Sequence, residues 1–294
     1  MGKRLFVILA AALVLFPGCR PSGKVPEREK KEISVQLYSL RSIIGDQYGK
    51  VLKDLADMGF TSVEAAGYAD GKFYGRTPEE FKADLEAVGM KALSSHVNHP
   101  LDEEDFASGD FSDKLAWWDA CIADHKAAGM KYLVTPWMGT QANLKNLQLY
   151  CDYFNAIGRK CSEAGISYGY HNHAYEFEKV EDQVMYDYML QHTDPACVFF
   201  QMDVYWAVIG NASPVDYFER YPGRFRLLHI KDEKEIGQSG MVGFDAIFRN
   251  AGKAGLEGFI VEVERYSYDD VERSVKESID YLLDAPFVKA SYPD

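Results

Sequence analysis

Five times along this chain a polar, helix-like stretch ends in glycine plus one apolar residue and is followed at once by a strand-like run. The copies are DMGFTSVEA, AVGMKALSSH, AAGMKYLVTP, EAGISYGYH and KAGLEGFIVEVE, with glycines at 59, 89, 129, 165 and 255. Glycine takes the left-handed conformation that ends a helix, and the chain then turns directly into a buried strand, so each copy reads as one αβ unit. Strand-like runs without the glycine occur at 33–38 (ISVQLY), 197–203 (CVFFQMD) and 225–230 (FRLLHI), which makes eight strands. Between and after them the pattern predicts helices over 48–58, 78–88, 113–128, 144–164, 184–192, 214–221, 244–254 and 270–283. Thr77-Pro78 and Ser213-Pro214 each place a capping hydroxyl before a proline at the first helical position. Strand–helix alternation implies parallel pairing with right-handed crossovers, and eight alternations predict one (β/α)8 barrel. A doubly wound open sheet of the dinucleotide-binding kind has no support, because no G-x-G-x-x-G follows the first strand.

The 294 residues divide accordingly into a short leader and one domain over 32–290. Lys3 and Arg4 precede an apolar run from 5 to 16, then Pro17, Gly18 and Cys19. The run is short for a bilayer span, and a small residue before cysteine resembles a lipobox, with Phe16 in place of the usual leucine. An uncleaved membrane anchor fits less well, since no apolar residues follow Cys19. The expectation is a signal peptide over 1–18, lipidation at Cys19, and a polar tether (RPSGKVPEREKK) to residue 31. The expected address is the periplasmic face of a bacterial outer membrane, reached through the lipid. Loss of 1–18 removes two positive charges, leaving 30 basic against 45 acidic residues, a net −15 in place of −13. Such a balance, without clustered Lys or Arg, argues against nucleic acid as a partner. Cys121, Cys151, Cys161 and Cys197 match no metal spacing and lie in apolar or amphipathic segments, so free thiols are expected.

In a barrel the chemistry sits where strands end. Here those ends read His171-Asn172-His173, Gln201-Met202-Asp203, His229-Ile230-Lys231-Asp232 and Glu262-Val263-Glu264 for the fifth to eighth strands. Earlier ends offer Gln36, Tyr38 and Arg41, then Glu64, then His96 and His99. Residues two apart share a strand face, so His171 with His173, Gln201 with Asp203, His229 with Lys231 and Glu262 with Glu264 can point jointly inward. Five of the seven histidines fall at strand ends. Imidazoles and carboxylates converging from four consecutive strands suit a mixed N/O divalent-metal site, and without a cation such buried charges are costly. Lys231 shares the inward phase of His229 and is expected to touch a substrate oxygen. Trp137, Tyr205 and Trp206, just past strands, are placed to stack on the C–H face of a sugar ring. Gln36, Tyr38 and Glu64 join them as candidate substrate contacts, with a mouth ion pair as the other reading of Glu64. Trp117-Trp118 reads as core or interface, and the acidic run Asp102 to Asp105 as a solvated loop.

Taken in order, ISVQLYSLR, VTPW, YHNHAYEF, MDVYW, HIKD and IVEVE resemble the xylose isomerase-like barrel superfamily of sugar phosphate isomerases and epimerases, from about residue 32 to 283. The resemblance implies one divalent ion (Mn, Mg, Co or Zn) held by His171, Asp203, His229 and Glu262, with Glu264 as the alternative to the last. Relatives that epimerise ketoses carry glutamate where this chain has His171, so a paired-carboxylate mechanism is not expected here. What survives is proton removal next to a carbonyl, with Glu262, Glu264, His173 and His96 as candidate bases and Lys231 stabilising the oxyanion. An exported address and the lack of a phosphate-cradling glycine loop point to an unphosphorylated sugar, keto-sugar or oxidised glycoside. Isomerisation or epimerisation stands first, elimination from a 3-keto-glycoside close behind, and non-catalytic sugar binding third. An endonuclease of the related barrel type would need more ligands and a basic groove.

Overall fold

A computed structural model of the protein describes residues 30–293; the expected signal peptide over 1–18, Cys19 and the expected tether up to residue 29 lie outside them. Eight strands, β1 (Ser34–Gln36), β2 (Ser62–Ala65), β3 (Lys91–Ser95), β4 (Tyr132–Thr135), β5 (Ser167–His171), β6 (Val198–Asp203), β7 (Leu227–Ile230) and β8 (Gly258–Val261), form one all-parallel sheet in the order β3-β2-β1-β8-β7-β6-β5-β4. A bridge between His96 and Val134, with Val97 N–H donating to the Val134 carbonyl (2.9 Å) and Lys131 N–H to that of Leu93 (3.0 Å), joins β3 to β4 and closes the barrel.

The helices are α1 (Ile44–Met58), α2 (Pro78–Ala87), α3 (Glu103–Ser108), α4 (Ser112–Ala127), α5 (Leu144–Ala164), α6 (Met185–His192), α7 (Val204–Ile209), α8 (Pro214–Arg220), α9 (Phe244–Arg249), α10 (Ala251–Ala254) and α11 (Val271–Asp284). All five repeat glycines have φ between 76° and 109°, the left-handed turn expected of them. Thr77 and Ser213 cap α2 and α8 as expected.

Four readings are corrected. The first strand stops at Gln36, because its side-chain oxygen accepts from Tyr38 N–H (3.0 Å) and winds Leu37–Leu40 into a 3-10 turn. The acidic run is not a loop: Asp102 caps α3 through a reciprocal box with Asp105, a signal hidden by Asp standing where Glu or Gln is usual. The stretch 244–254 breaks into α9 and α10 at Asn250. Lys31 belongs to the domain, since its buried ammonium donates to the Leu282 and Ala285 carbonyls. Cys121, Cys151 and Cys161 are buried and Cys197 half-buried, all as free thiols. No helix among the described residues is long and apolar enough to cross a membrane.

The barrel interior is layered. Tyr132, Val134, Phe199, Leu227 and Ile260 pack into an apolar plug. Gly169 gives Phe199 its room, since a Cβ there would lie 2.6 Å from the ring. Two residues further along the same strands come His171, Gln201, His229 and Glu262, all buried. The inward phase thus changes from apolar to ionisable within one strand repeat, which puts the polar layer on a dry floor beneath the mouth.

Candidate active site

His171, Asp203, His229 and Glu262 converge from the ends of β5 to β8, with one ligand atom of each within 4.8 Å of all the others, and all four are buried. Asp203 divides its labour: Oδ1 accepts from Trp206 N–H (2.9 Å) and caps α7, whereas Oδ2 is buried with no partner. Burial, only partly offset by Lys231, pushes this carboxyl up to about 7. Burial and the neighbouring imidazoles of His229, His96 and His173 push His171 well down, so it stays neutral. Its Nδ1 lies 3.1 Å from Gln201 Oε1, an acceptor; Nδ1 is therefore the donor, and the Nε2 lone pair is left free.

His229 is held from both sides, Nε2 by Glu64 (2.6 Å) and Nδ1 by Glu262 (3.4 Å). These carboxylates overcome burial and raise it to about 10. Glu262 is correspondingly lowered to about 2, Lys231 and His229 outweighing its burial. Two carboxylates, two imidazoles and an orphaned carboxylate oxygen fit a divalent cation in charge and donor type.

Glu64 is where the strand-end reading needs correction. It is neither a substrate contact nor a mouth ion pair, because it is fully buried beneath the four donors. Gln36 Nε2 (2.8 Å), Ser94 Oγ (2.6 Å) and Gln201 Nε2 (2.8 Å) all donate to it, as do His229 and, at 3.0 Å, His96. Electrostatic attraction to His96 and His229, with these bonds, holds it well below the usual carboxylate range despite burial. Gln36 is likewise corrected, being a fully buried brace for Glu64. His96 spends Nε2 on Gln201 (2.7 Å) and Glu64 and stacks on His229 (5.0 Å between centroids), which places it under the site and not as a free base. A carboxylate holding the far nitrogen of a metal-binding histidine is a common support for such sites. Its strand-end position nominated Glu64 from the sequence but did not show how deep it sits.

Above this layer opens a pocket of about 240 Å³ whose walls include Tyr38, Tyr205, Trp206, Lys231 and Glu264. Lys231 is buried, donates to Glu264, lies 3.5 Å from Glu262 and sits 5.6 Å from the Trp206 ring centre. Burial lowers its pKa, but Glu262, Asp203 and Glu264 together leave it raised, so it is a firm cation. His173 is brought down to about 4 by burial, and its Nδ1 has no protein partner. Trp137 does not line the pocket; it stands 48% exposed on the loop after β4. His99 stacks on Trp117 (4.3 Å), away from the cluster.

A group absent from the sequence reading anchors the His173 loop. Glu176, fully buried, accepts from His173 N–H (2.8 Å) and from the Tyr170 hydroxyl (2.7 Å), and burial pushes it up to about 7 although those bonds pull the other way. Tyr175, stacked on His173 with 6.0 Å between ring centres, accepts from the amides of Met138 and Gly139, so one network fixes both the His173 and Trp137 loops. A lone Glu beyond a strand end carries no signal of burial.

A family model described as xylose isomerase-like TIM barrel matches residues 52–285. The crystal structure of a sugar phosphate isomerase/epimerase from Parabacteroides distasonis superposes with a TM-score of 0.81 at 37% identity, over 88% of this chain and 100% of that one. An inosose dehydratase of Clostridium beijerinckii is 24% identical over 256 residues, 76% of each chain. A 3-keto-D-glucoside 4-epimerase from E. coli shares the fold, with a TM-score of 0.65 at 16% identity over 86% of this chain and 98% of that one.

Proposed function

Because this chain belongs to the xylose isomerase-like TIM-barrel family, we propose that it is a divalent-metal-dependent carbohydrate enzyme that removes a proton next to a carbonyl of an unphosphorylated keto-sugar. The observation that carries this reading is the unpartnered Oδ2 of Asp203, set among His171, His229 and Glu262, the last of which lies 3.5 Å from the buried lysine that lines the neighbouring pocket. A divalent ion held by these four residues would supply Lewis acidity toward a carbonyl or enediolate oxygen.

The chain's own groups account for the rest. Lys231, cationic and dry, faces the pocket and stabilises negative charge growing on a substrate oxygen. Glu262, as one of the four residues that would hold the ion, is not free to act as the base, which leaves Glu264, half-buried at the pocket wall, and the neutral His173. Tyr205 and Trp206 present aromatic surface to the ring. Isomerisation or epimerisation follows when the proton returns at the neighbouring or the same carbon.

Elimination is favoured as the second reading by His171, which leaves Glu264 as the mouth's base-competent carboxylate on this side, and by the similarity to a dehydratase. On a 3-keto-glycoside the C2–H bond breaks to the base and its electron pair forms the C1–C2 double bond. The C1–O bond breaks in turn, and the leaving oxygen takes up a proton. Export, with lipid attachment at Cys19 and residence at the periplasmic face of an outer membrane, belongs to the same proposal and is tested by fatty-acid labelling of the parent and Cys19→Ser chains.

The deciding experiment combines metal analysis of the purified protein with NMR in D2O over a panel of free keto-sugars and 3-keto-glycosides. Deuterium entering recovered sugar supports isomerisation, and release of the C1 substituent supports elimination. A protein with no bound Mn, Mg, Co or Zn that exchanges and turns over nothing refutes both and leaves a sugar-binding role.

A further inference from the structure

The pocket wall runs against the charge of the molecule. The chain has 32 basic and 45 acidic residues, a net −13, yet three cations, Arg41, Lys231 and Arg265, line this one pocket against two carboxylates, Glu233 and Glu264. Lys231 donates to Glu264, so those two charges answer each other. What is left is two guanidiniums against one carboxylate, a surplus of one positive charge on the wall.

Arg41 is held in place without any acidic partner. Its Nη1 donates to the Tyr38 carbonyl (3.1 Å) and the Tyr266 hydroxyl (2.9 Å), and its Nη2 to the Glu264 carbonyl (2.9 Å), all of them neutral oxygens. The Tyr266 hydroxyl is itself anchored, donating to the Ser39 carbonyl (2.8 Å). The guanidinium carbon lies 4.5 Å from the Tyr38 ring centre and 5.7 Å from that of Tyr266. Three of the five N–H groups are thereby used, and Nε–H and one Nη2–H remain. Among the described residues Arg265 makes no ion pair and no side-chain hydrogen bond, and the segment that carries it is tied to Arg41 through its two neighbours, Glu264 and Tyr266. A guanidinium ordered by neutral acceptors has its geometry settled and its charge still to be met, which lowers the cost of taking an anion from outside.

The kind of anion follows from shape and charge. A flat carboxylate matches the planar donors of a guanidinium, and its single charge cancels the surplus. A phosphate ester would bring a further negative charge toward Glu233 and Glu264. The cations also divide the pocket. Lys231 lies 3.5 Å from Glu262, one of the four converging donors, and so marks the reacting end, whereas neither guanidinium bonds to any of the four.

We propose that the substrate is a sugar acid, whose carbonyl lies toward Lys231 and the four donors and whose carboxylate is bound by Arg41 and Arg265. This rests on the proton-abstraction reading and narrows it to keto-sugar acids. Calorimetry on the metal-loaded full chain compares methyl glucoside, methyl glucuronide, glucose 6-sulfate and glucose 6-phosphate, and NMR compares kcat/KM for the 3-keto derivatives of the two methyl glycosides. Both are repeated with Arg41→Lys and with Arg265→Gln, the latter at an exposed position with no bond to lose. The glucuronide is expected to bind roughly tenfold tighter than the glucoside, with a similar preference in kcat/KM, and the preference to fall severalfold in each variant and as salt is raised. Equal values for glucoside and glucuronide overturn the carboxylate subsite while leaving the reaction intact. A preference that both variants retain also overturns it, assigning the carboxylate to the bound cation, and so does tighter binding of the sulfate or phosphate ester than of the glucuronide. A glucuronide preference in binding that falls in both variants, with no turnover of any keto-sugar, supports the subsite and sinks the reaction.

Discussion

Replacing Glu64 by glutamine tests whether the buried carboxylate below the site is its keystone. Oε1 accepts from Gln36 and His229 with His96 at 3.0 Å, and Oε2 from Ser94 and Gln201. The amide of Glu64→Gln does least harm with its nitrogen at the Oε2 position, where the Ser94 hydroxyl can turn to accept. Gln201 Nε2 then faces another N–H and is orphaned, at about 1–3 kcal/mol. The larger loss is the negative charge beside His229, since removing one partner of a buried pair costs about 3–5 kcal/mol. The two overlap, so the metal-free protein should lose about 3–5 kcal/mol. Metal affinity should fall roughly 10–100-fold, because a neutral amide no longer raises the basicity of the His229 imidazole. Urea denaturation in chelator reads the first quantity and calorimetric titration with Mn or Zn the second. The pH dependence has a definite sign. Glu64 is lowered in the fold, so its contribution is present above the unfolded value of 4.5 and lost as pH falls, and the variant should lack that acid limb. His229 is raised from 6.5 to about 10, so its share is present below 6.5 and fades as pH climbs toward 10, a limb that should shrink in the variant, where Glu262 alone supports the charge. An unchanged metal affinity together with metal-free stability within about 1 kcal/mol of the parent refutes the keystone argument.

Glu176→Gln should remove a pH dependence from the opposite side. The rise from 4.5 to about 7 makes the folded state prefer the protonated form by about 3 kcal/mol, so parental stability falls as pH passes from 4.5 through 7 while the variant's does not; parallel urea curves at pH 5.5 and 8 decide it. The amide can donate to the Tyr170 hydroxyl while still accepting from His173, which keeps the network intact. Glu235, fully buried, accepts from Ser267 N–H (2.8 Å) and from the hydroxyls of Ser267 (2.7 Å) and Ser274 (2.6 Å), tying the loops after β7 and β8 together. Glu235→Ala should cost about 2–4 kcal/mol by thermal melts, and a loss below 1 kcal/mol contradicts the latch. Lys231→Met should lower kcat on keto-sugar substrates by about 10²–10³ with a smaller change in KM, and a pure KM effect would mean a binding contact only. Chelation should lower Tm and Mn or Zn at about 100 times Kd restore about 2.7 kcal/mol, whereas a Tm indifferent to both leaves the four donors without a cation role.

Most of the barrel was legible because its rules are local. The five glycines mark helix ends through their own φ angles, and the period of two along each strand put His171, Asp203, His229 and Glu262 on one side together. The strand-end rule also nominated Glu64 and Gln36, but it could not rank them by depth. Whether an inward side chain touches ligand or props another side chain depends on the height at which its strand enters the barrel, and that is set by pairing with neighbours far along the chain: Glu64 lies opposite Gln36, while Glu262 N–H bonds to the Ile230 carbonyl. Glu176 escaped notice for a related reason, since its partners are brought to it by a loop fold.

Alternation of helix and strand, the inward phase of the ionisable residues and their concentration at one end follow from the sequence itself, being consequences of backbone geometry over a few residues. Tertiary structure alone decided that Asp203 keeps one oxygen unpartnered, that Lys231 pairs with Glu264, and that Glu64 is sealed beneath His229. These depend on distances between residues more than thirty apart, and on a burial that turns ordinary carboxylates and imidazoles into a preset array of charge.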